Sequence, residues 1–215
     1  MIDLSKYAYI IWDWNGTLLN DAWLCVDVMN GLLADRHIPT KTLEEYRNIF
    51  NFPVKEYYRK LGFDFNKEPF EKVGMEFMIR YNERQKESQL HPEVFRVLEA
   101  FEKKGFRQSI LSAREQNELI AETKAYGVFN YFDHINGLDD HYAHGKTDVG
   151  IKFMKKLGIP GDKLLFIGDT CHDAEVAAEM GISCLLIPNG HHASERLLQC
   201  QVPIAPALSD LIQIL

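Results

Sequence analysis

The chain has 215 residues, 46% of them hydrophobic, with 31 acidic side chains against 24 basic ones and a net charge of −7. That length buries one sizeable core and a smaller appendage, and the acidic balance disfavours a nucleic acid or an anionic membrane as partner and favours a small ligand. Cys25, Cys171, Cys184 and Cys200 lack a Cys-x-x-Cys spacing, no stretch approaches the ~18 apolar residues of a membrane helix, and the first residues carry no secretion-signal pattern. Free thiols in a cytoplasmic protein are therefore expected.

The first apolar run, Tyr7 to Trp12, has the composition of a buried strand and leads straight into Asp13, Asn15, Gly16 and Thr17. From about Asp21 to Gln89 the pattern is helical, with Trp23, Val26, Met29, Leu32 and Leu33 on one stripe and Phe70, Val73, Phe77 and Tyr81 on another. No strand is predicted there. A block with two stripes of its own, joined near Leu19 to Asp21 and Gln89 to Pro92, is expected to pack as a small lid over the strand ends. The division is residues 20–89 as an inserted helical cap and residues 1–19 with 90–215 as the core; the alternative is that these helices extend the main core.

Further strands are predicted at Arg107 to Leu111, Lys163 to Ile167 and Ser183 to Ile187, with a weaker one at Phe132 to Asn136. Helices are predicted at Asn117 to Tyr126, Thr147 to Leu157 and Ala174 to Met180, and Gly127, Gly158 and Gly181 fall where a helix end favours a left-handed residue. Alternating strands and helices imply an α/β fold with a parallel sheet covered on both faces. Ligands of such sheets sit beyond the carboxyl ends of the strands, which directs attention to Asp13, Ser112 and Asp169.

Gly168-Asp169-Thr170-Cys171-His172-Asp173 places two carboxylates four residues apart where a turn enters a helix. With Asp13 at the end of an adjacent strand, three like charges converge, and a hard divalent cation is a usual remedy for their repulsion. Mg2+ suits a site with few protein oxygens and a substrate phosphate. Ser112 and the following amides, at Ala113 and beyond, suit a phosphate oxygen. Lys146 offers a point charge for a transferring phosphoryl group.

In chain order, Asp13-x-Asn15-Gly16-Thr17, Ser112, Lys146 and Gly168-Asp169-x-x-x-Asp173 resemble the four motifs of the haloacid dehalogenase-like hydrolases. The helical insertion is similar to the cap of the phosphoglycolate phosphatase and β-phosphoglucomutase branch, and the segment from Pro203 to Leu215 to that branch's last strand and helix. The resemblance implies a Rossmann-like three-layer core with an inserted cap. It also implies a Mg2+-dependent phosphatase of a small phosphorylated metabolite, working through an aspartyl-phosphate on Asp13. The metal ligands it implies are Asp13, the backbone carbonyl of Asn15, Asp169 and Asp173. The groups around the substrate are Ser112, Ala113, Arg114 and Lys146.

Where the family pattern has a second aspartate that moves the proton, this chain has Asn15, which cannot titrate. Acid/base assistance is worth ~100- to 10,000-fold, so slow turnover is expected, least slow for acyl or aryl phosphates whose leaving groups need no proton. His172, His141 and His144 are the histidines nearest the motifs, and His191-His192 a metal pair by composition only. Tyr57, Tyr58, Arg59 and Arg80 are candidates for specificity. Two other readings remain. One is a phosphonate-cleaving enzyme needing a Schiff-base lysine such as Lys41, Lys55 or Lys60; the other is a phosphate-binding regulatory protein that has lost turnover. Substrate and oligomeric state are not legible.

Overall fold

The structure is a computed structural model that describes residues 2–138 and 145–215. It opens with strands β1 (Tyr9–Trp12) and β2 (Leu19–Asn20), followed by helices α1 (Ala22–Asp35), α2 (Leu43–Ile49), α3 (Val54–Leu61) and α4 (Phe70–Arg84). Then come strand β3 (Gln89–Leu90), helix α5 (Val94–Lys103), strand β4 (Arg107–Glu115), helix α6 (Gln116–Ala125) and strand β5 (His134–Leu138). The chain closes through helix α7 (Lys146–Leu157), strand β6 (Leu164–Gly168), helix α8 (Cys171–Met180), strand β7 (Ser183–Leu186) and two short helices, α9 (Ser194–Leu197) and α10 (Asp210–Gln213).

Five strands form a parallel sheet in the order β5-β4-β1-β6-β7. β1 is central, with Trp12 in register with Ile110 on one side and Ile167 on the other. A strand covered on both faces needs an unbroken apolar run, and all four residues of β1 are buried. One face packs Ile10, Trp12 and Ile167 against Val97, Phe101 and Leu119. The other packs Ile11 and Phe166 against Phe153, Val176 and Met180. This is the doubly covered α/β sheet that the alternation predicts, and Gly127, Gly158 and Gly181 all take the left-handed conformation expected of them. Helix α5 is additional to the three helices predicted for this part of the chain. The predicted last strand is reduced to a single bridge between Leu186 and Ile204.

Helices α1 to α4 bury a third cluster, including Leu24, Val28, Leu32, Tyr58 and Val73, separate from the two that flank the sheet. Two sequence expectations need correction here. Trp23 is 37% exposed, because the stripe that faces inward is carried by Leu24, Val28 and Leu32 at four-residue spacing, about 100° to 180° around the helix from Trp23. The connections are also not plain linkers. β2 and β3 pair antiparallel, Leu19 with Leu90 and Asn20 with Gln89, so the two chain crossings into the block are tied to each other.

The block lies over the carboxyl end of the sheet. Arg47, in the last turn of α2, donates from Nε to the Gly190 carbonyl at 2.8 Å, and Arg196 donates back to the Arg47 carbonyl at 2.9 Å. Phe52 stacks on His172 with ring centres 4.4 Å apart.

Candidate active site

Asp13 is the first residue past β1, and its backbone N–H donates to the Ile167 carbonyl at 2.9 Å, so the edge of β6 fixes its height. Asp169 follows β6. Asp173 is the third residue of α8, in a capping box with Thr170 that ties it to the helix start. Its Oδ2 accepts from the Thr170 hydroxyl at 2.7 Å and the Thr170 N–H at 2.9 Å. Asp169 accepts from the Thr17 hydroxyl at 2.8 Å and the His191 N–H at 2.6 Å. Lys146, the first residue of α7, donates to Asp13 at 2.6 Å and to Asp173 at 2.7 Å. Gly16 closes this corner: with φ at +79°, an added Cβ would lie 2.4 Å from Asp169 Oδ2.

The register of β4 against β5 shifts between Leu111 and Glu115, and that irregularity turns Ser112 and Ala113 into the cavity below. Ser112 is not the N-cap of α6; Glu115 is, accepting from the Glu118 N–H at 2.8 Å. Ser112 Oγ instead accepts from the Arg114 N–H at 3.1 Å.

Oxygens of Asp13, Asp169 and Asp173 lie within 4.8 Å of one another, and all three residues are buried. This is an all-oxygen donor set of the kind that a hard divalent cation takes. The three carboxylates are not equivalent. Burial raises Asp13, and Asp173 and Asp169 add to the rise against the pull of Lys146. Burial likewise raises Asp169. Burial pushes Asp173 the same way, yet Lys146 and the Thr170 donors outweigh it and leave Asp173 below the ordinary value. Among the described residues, Asp173 combines the Lys146 ammonium with both Thr170 donors, whereas Asp13 has Lys146 and otherwise only the Thr17 hydroxyl at 3.4 Å. Asp169 has short neutral donors but no hydrogen bond to Lys146 among the described residues.

Asn15 points away from this trio. Its Nδ2 donates to Asp21 Oδ2 at 2.8 Å and to the Tyr81 hydroxyl at 3.0 Å. Asp21 is fully buried and also accepts from the Gly16 N–H at 2.9 Å and the Tyr81 hydroxyl at 2.7 Å. His191 Nε2 lies 3.3 Å from Asp21, and its Nδ1 is 2.7 Å from the Tyr46 hydroxyl. Burial would raise Asp21, but His191 and the surrounding donors bring it down to about 2. Burial would lower His191, but Asp21 and Asp169 hold it up at about 9.

A cavity of about 210 Å³ connects these groups. Asp13, Asn15, Asp21, Ser112, Lys146 and His191 line its floor, and the block supplies an aromatic roof that includes Phe50, Phe52, Tyr57, Phe70 and Tyr81. Lys146 is the only lysine among the described residues that line it.

Residues 10–187 match the family model described as haloacid dehalogenase-like hydrolase. The chain belongs to that family. A haloacid dehalogenase-like hydrolase from Streptococcus pneumoniae has the same fold, with a TM-score of 0.84 at 21% identity over 97% of this chain and 98% of that one. A phosphoglycolate phosphatase from Pseudomonas syringae pv. tomato is 26% identical over 208 residues, covering 85% of this chain and 70% of its own. A Dickeya dadantii protein named "Probable phosphatase IndB" is 23% identical over 194 residues, covering 87% and 84% respectively.

In this haloacid dehalogenase-like chain, the motif residues Asp13, Lys146, Asp169 and Asp173 meet around one point, and Ser112 lines the same cavity as Asp13, Lys146 and Asp173. Arg114 lines the cavity, but its guanidinium is engaged by Glu122 at 2.7 Å, Glu118 at 3.0 Å and Asn82 at 2.7 Å. Tyr57 and Tyr58 reach the cavity; Arg80 pairs with Asp35 and Glu76 and Arg59 with Glu56, all outside it. Lys55 lies over the Phe65 and Phe70 rings. His141 and His144 lie outside the described residues. Asp21, Tyr46 and Tyr81 are site groups absent from the sequence expectations, and His191 has a larger place than its composition suggested. A signal was present for Asp21: a carboxylate a few residues beyond the amide at position 15, at the start of a helix.

Proposed function

We propose that this hydrolase is a Mg2+-dependent phosphatase acting on a small monophosphate whose leaving group is an apolar acyl or aryl oxygen. Residues 1–19 and 90–215 serve as its core, and residues 20–89 as its cap. The observation that carries this reading is the combination of a carboxylate–lysine phosphate corner with an aromatic roof in one cavity. A small polar phosphate ester would leave that roof without a partner, whereas an apolar leaving group fills it.

Asp13, Asp169 and Asp173 would hold the cation, with the Asn15 carbonyl, and its charge would supply electrostatic stabilisation of the phosphoryl oxygens. Lys146 bridges Asp13 and Asp173, favours the ionised form of Asp13 as the nucleophile against the opposing effect of burial, and aligns it. Ser112 and the Ala113 backbone receive a phosphoryl oxygen. Asp13 Oδ forms a bond to phosphorus as the bond to the leaving oxygen breaks, and an aryloxide or carboxylate departs without needing a proton. Water then attacks the phosphorus of the aspartyl-phosphate, releasing inorganic phosphate and restoring Asp13. Asn15 takes no proton in that second step, which is slowed by ~100- to 10,000-fold relative to a base-assisted one and becomes rate-limiting.

The test is a panel of aryl, acyl and alkyl monophosphates with Mg2+, run beside Asp13→Asn to exclude contaminating activity. Expected are faster turnover on aryl and acyl substrates, a rapid burst followed by a slow phase, and a protein one phosphoryl group heavier in quenched samples. Faster turnover on alkyl substrates sinks the leaving-group assignment. Measurable phosphate binding with no turnover of any substrate favours the regulatory reading. A Schiff-base phosphonatase is disfavoured because no lysine of the block is among the described residues lining the cavity.

A further inference from the structure

A second cluster of metal-ligating side chains lies beside the carboxylate trio and differs from it in chemistry. Asp21, Cys25 and His191 each present a ligand atom, and the three atoms lie within 4.8 Å of one another. All three side chains line the cavity. Asp21 immediately precedes α1 and Cys25 follows one helical turn later, so the two share a face. His191 comes from the loop between β7 and α9, so the cluster spans the helical block and the sheet.

Zn–S bonds of ~2.3 Å and Zn–N or Zn–O bonds of ~2.0–2.2 Å put neighbouring donors roughly 3.2–3.7 Å apart. Here Asp21 Oδ1 is 3.3 Å from His191 Nε2 and Asp21 Oδ2 is 3.7 Å from Cys25 Sγ, so each partner meets the carboxylate at close to that separation. The surrounding bonds are those that orient metal ligands. The Tyr46 hydroxyl holds His191 Nδ1, leaving Nε2 for an ion, and Asn15, Tyr81 and the Gly16 N–H fix the Asp21 carboxylate. An aspartate at position 15 could not donate in this way, so the amide at that position has a positive role in the cluster.

We infer that Asp21, Cys25 and His191 form a binding site for a thiophilic divalent cation of the zinc class, distinct from the all-carboxylate site for a hard cation. Carboxylate, thiolate and imidazole together select zinc or cobalt over magnesium. On binding, the Cys25 thiol and the His191 imidazolium each release a proton to solvent, and bonds from Sγ and Nε2 to the metal replace the S–H and Nε2–H bonds. The ion would pin the first turn of α1 to the loop after β7. The inference concerns binding alone and does not depend on the phosphatase reading.

The experiment uses the full chain stripped of metal and titrated with Co2+ in excess Mg2+. Expected are a near-ultraviolet thiolate-to-cobalt absorption band saturating at one equivalent, its displacement by Zn2+, and a thermal midpoint that rises with Zn2+. Cys25→Ser and His191→Gln, confirmed as folded by circular dichroism, should lose the band. Absence of the band in the unmutated protein overturns the inference whatever the variants do. A band that persists in Cys25→Ser and disappears in Cys200→Ser places the ion at another thiol and overturns it as well.

Discussion

Replacing Asn15 with aspartate gives the chain the residue that its family pattern has at this position, yet the geometry does not favour a simple gain. The amide nitrogen at position 15 lies 2.8 Å from Asp21 Oδ2, so Asn15→Asp puts two carboxyl oxygens where a hydrogen bond was. If both ionise, their repulsion at an effective dielectric of 20 is about 6 kcal/mol. Keeping one protonated at pH 7 costs only about 4 kcal/mol for a group with an ordinary carboxylate pKa. Protonation therefore wins, and the proton resides on the new carboxyl, because Asp21 keeps Tyr81, Gly16 and His191 and is held down at about 2. The new carboxyl then has a folded-state pKa raised above its unfolded value. Its penalty is absent below the unfolded value of ~3.9, grows as pH rises and levels off once the folded group ionises. Thermal unfolding of Asn15→Asp and the parent chain is thus expected to differ little near pH 4 and by up to about 4 kcal/mol at pH 7. Kinetically, the retained proton should raise turnover of alkyl phosphates, by up to ~100- to 10,000-fold, and leave aryl phosphates much less changed. Adding Asp21→Asn to Asn15→Asp exchanges carboxylate and amide and should recover the stability. A stability gap independent of pH, or no recovery in the exchanged pair, would refute the reasoning.

Lys146→Met removes the one cation among the described residues that touches both Asp13 and Asp173. It should abolish turnover and cost about 3–5 kcal/mol in the metal-free protein, with Mg2+ then raising the thermal midpoint more than it does in the parent chain. Arg47→Ala deletes the donor from the block to the Gly190 carbonyl; a raised KM with little change in kcat, and faster proteolysis within residues 20–89, are the expected readouts. His192 is pushed down to about 3 by burial and by Arg196, while its unfolded counterpart takes up a proton near ~6.5. The unfolded state therefore binds more protons between these values, and stability should fall as pH drops from about 6.5 towards 3. Denaturant unfolding at a series of pH values checks this: His192→Asn should flatten the dependence in that window.

The parallel sheet was legible because Tyr9 to Trp12 and Leu164 to Ile167 are unbroken apolar runs, and a strand buried on both faces tolerates nothing else. The convergence of carboxylates was legible for a related reason. Asp13 and Asp169 follow the ends of adjacent parallel strands, so their convergence follows once the strands are neighbours, whereas Ser112 is placed by the irregularity within β4, which runs past it to Glu115. The pairing of β2 with β3 was not legible, because two residues on each side are too short to show a period. Trp23 departs from expectation because a stripe read at three-residue steps and one read at four-residue steps diverge at the end of a helix, where packing against the other helices of the block decides between them.

The deepest gap concerns Asn15 itself. Taken along the chain it is a catalytic motif with its proton carrier missing. In space it is the donor that fixes a buried aspartate, which is in turn set against a histidine about 170 positions later. That partnership has no periodicity and no local spacing across its long arm, so no reading of residues 10–18 could expose it. The pairing also constrains the chemistry: a carboxylate cannot occupy position 15 at neutral pH without displacing the charge on Asp21 or holding a proton against it. The loss of the acid/base residue and the presence of Asp21 are therefore one arrangement rather than two independent features. The slow turnover proposed for this chain involves both, and the exchanged pair of substitutions separates them.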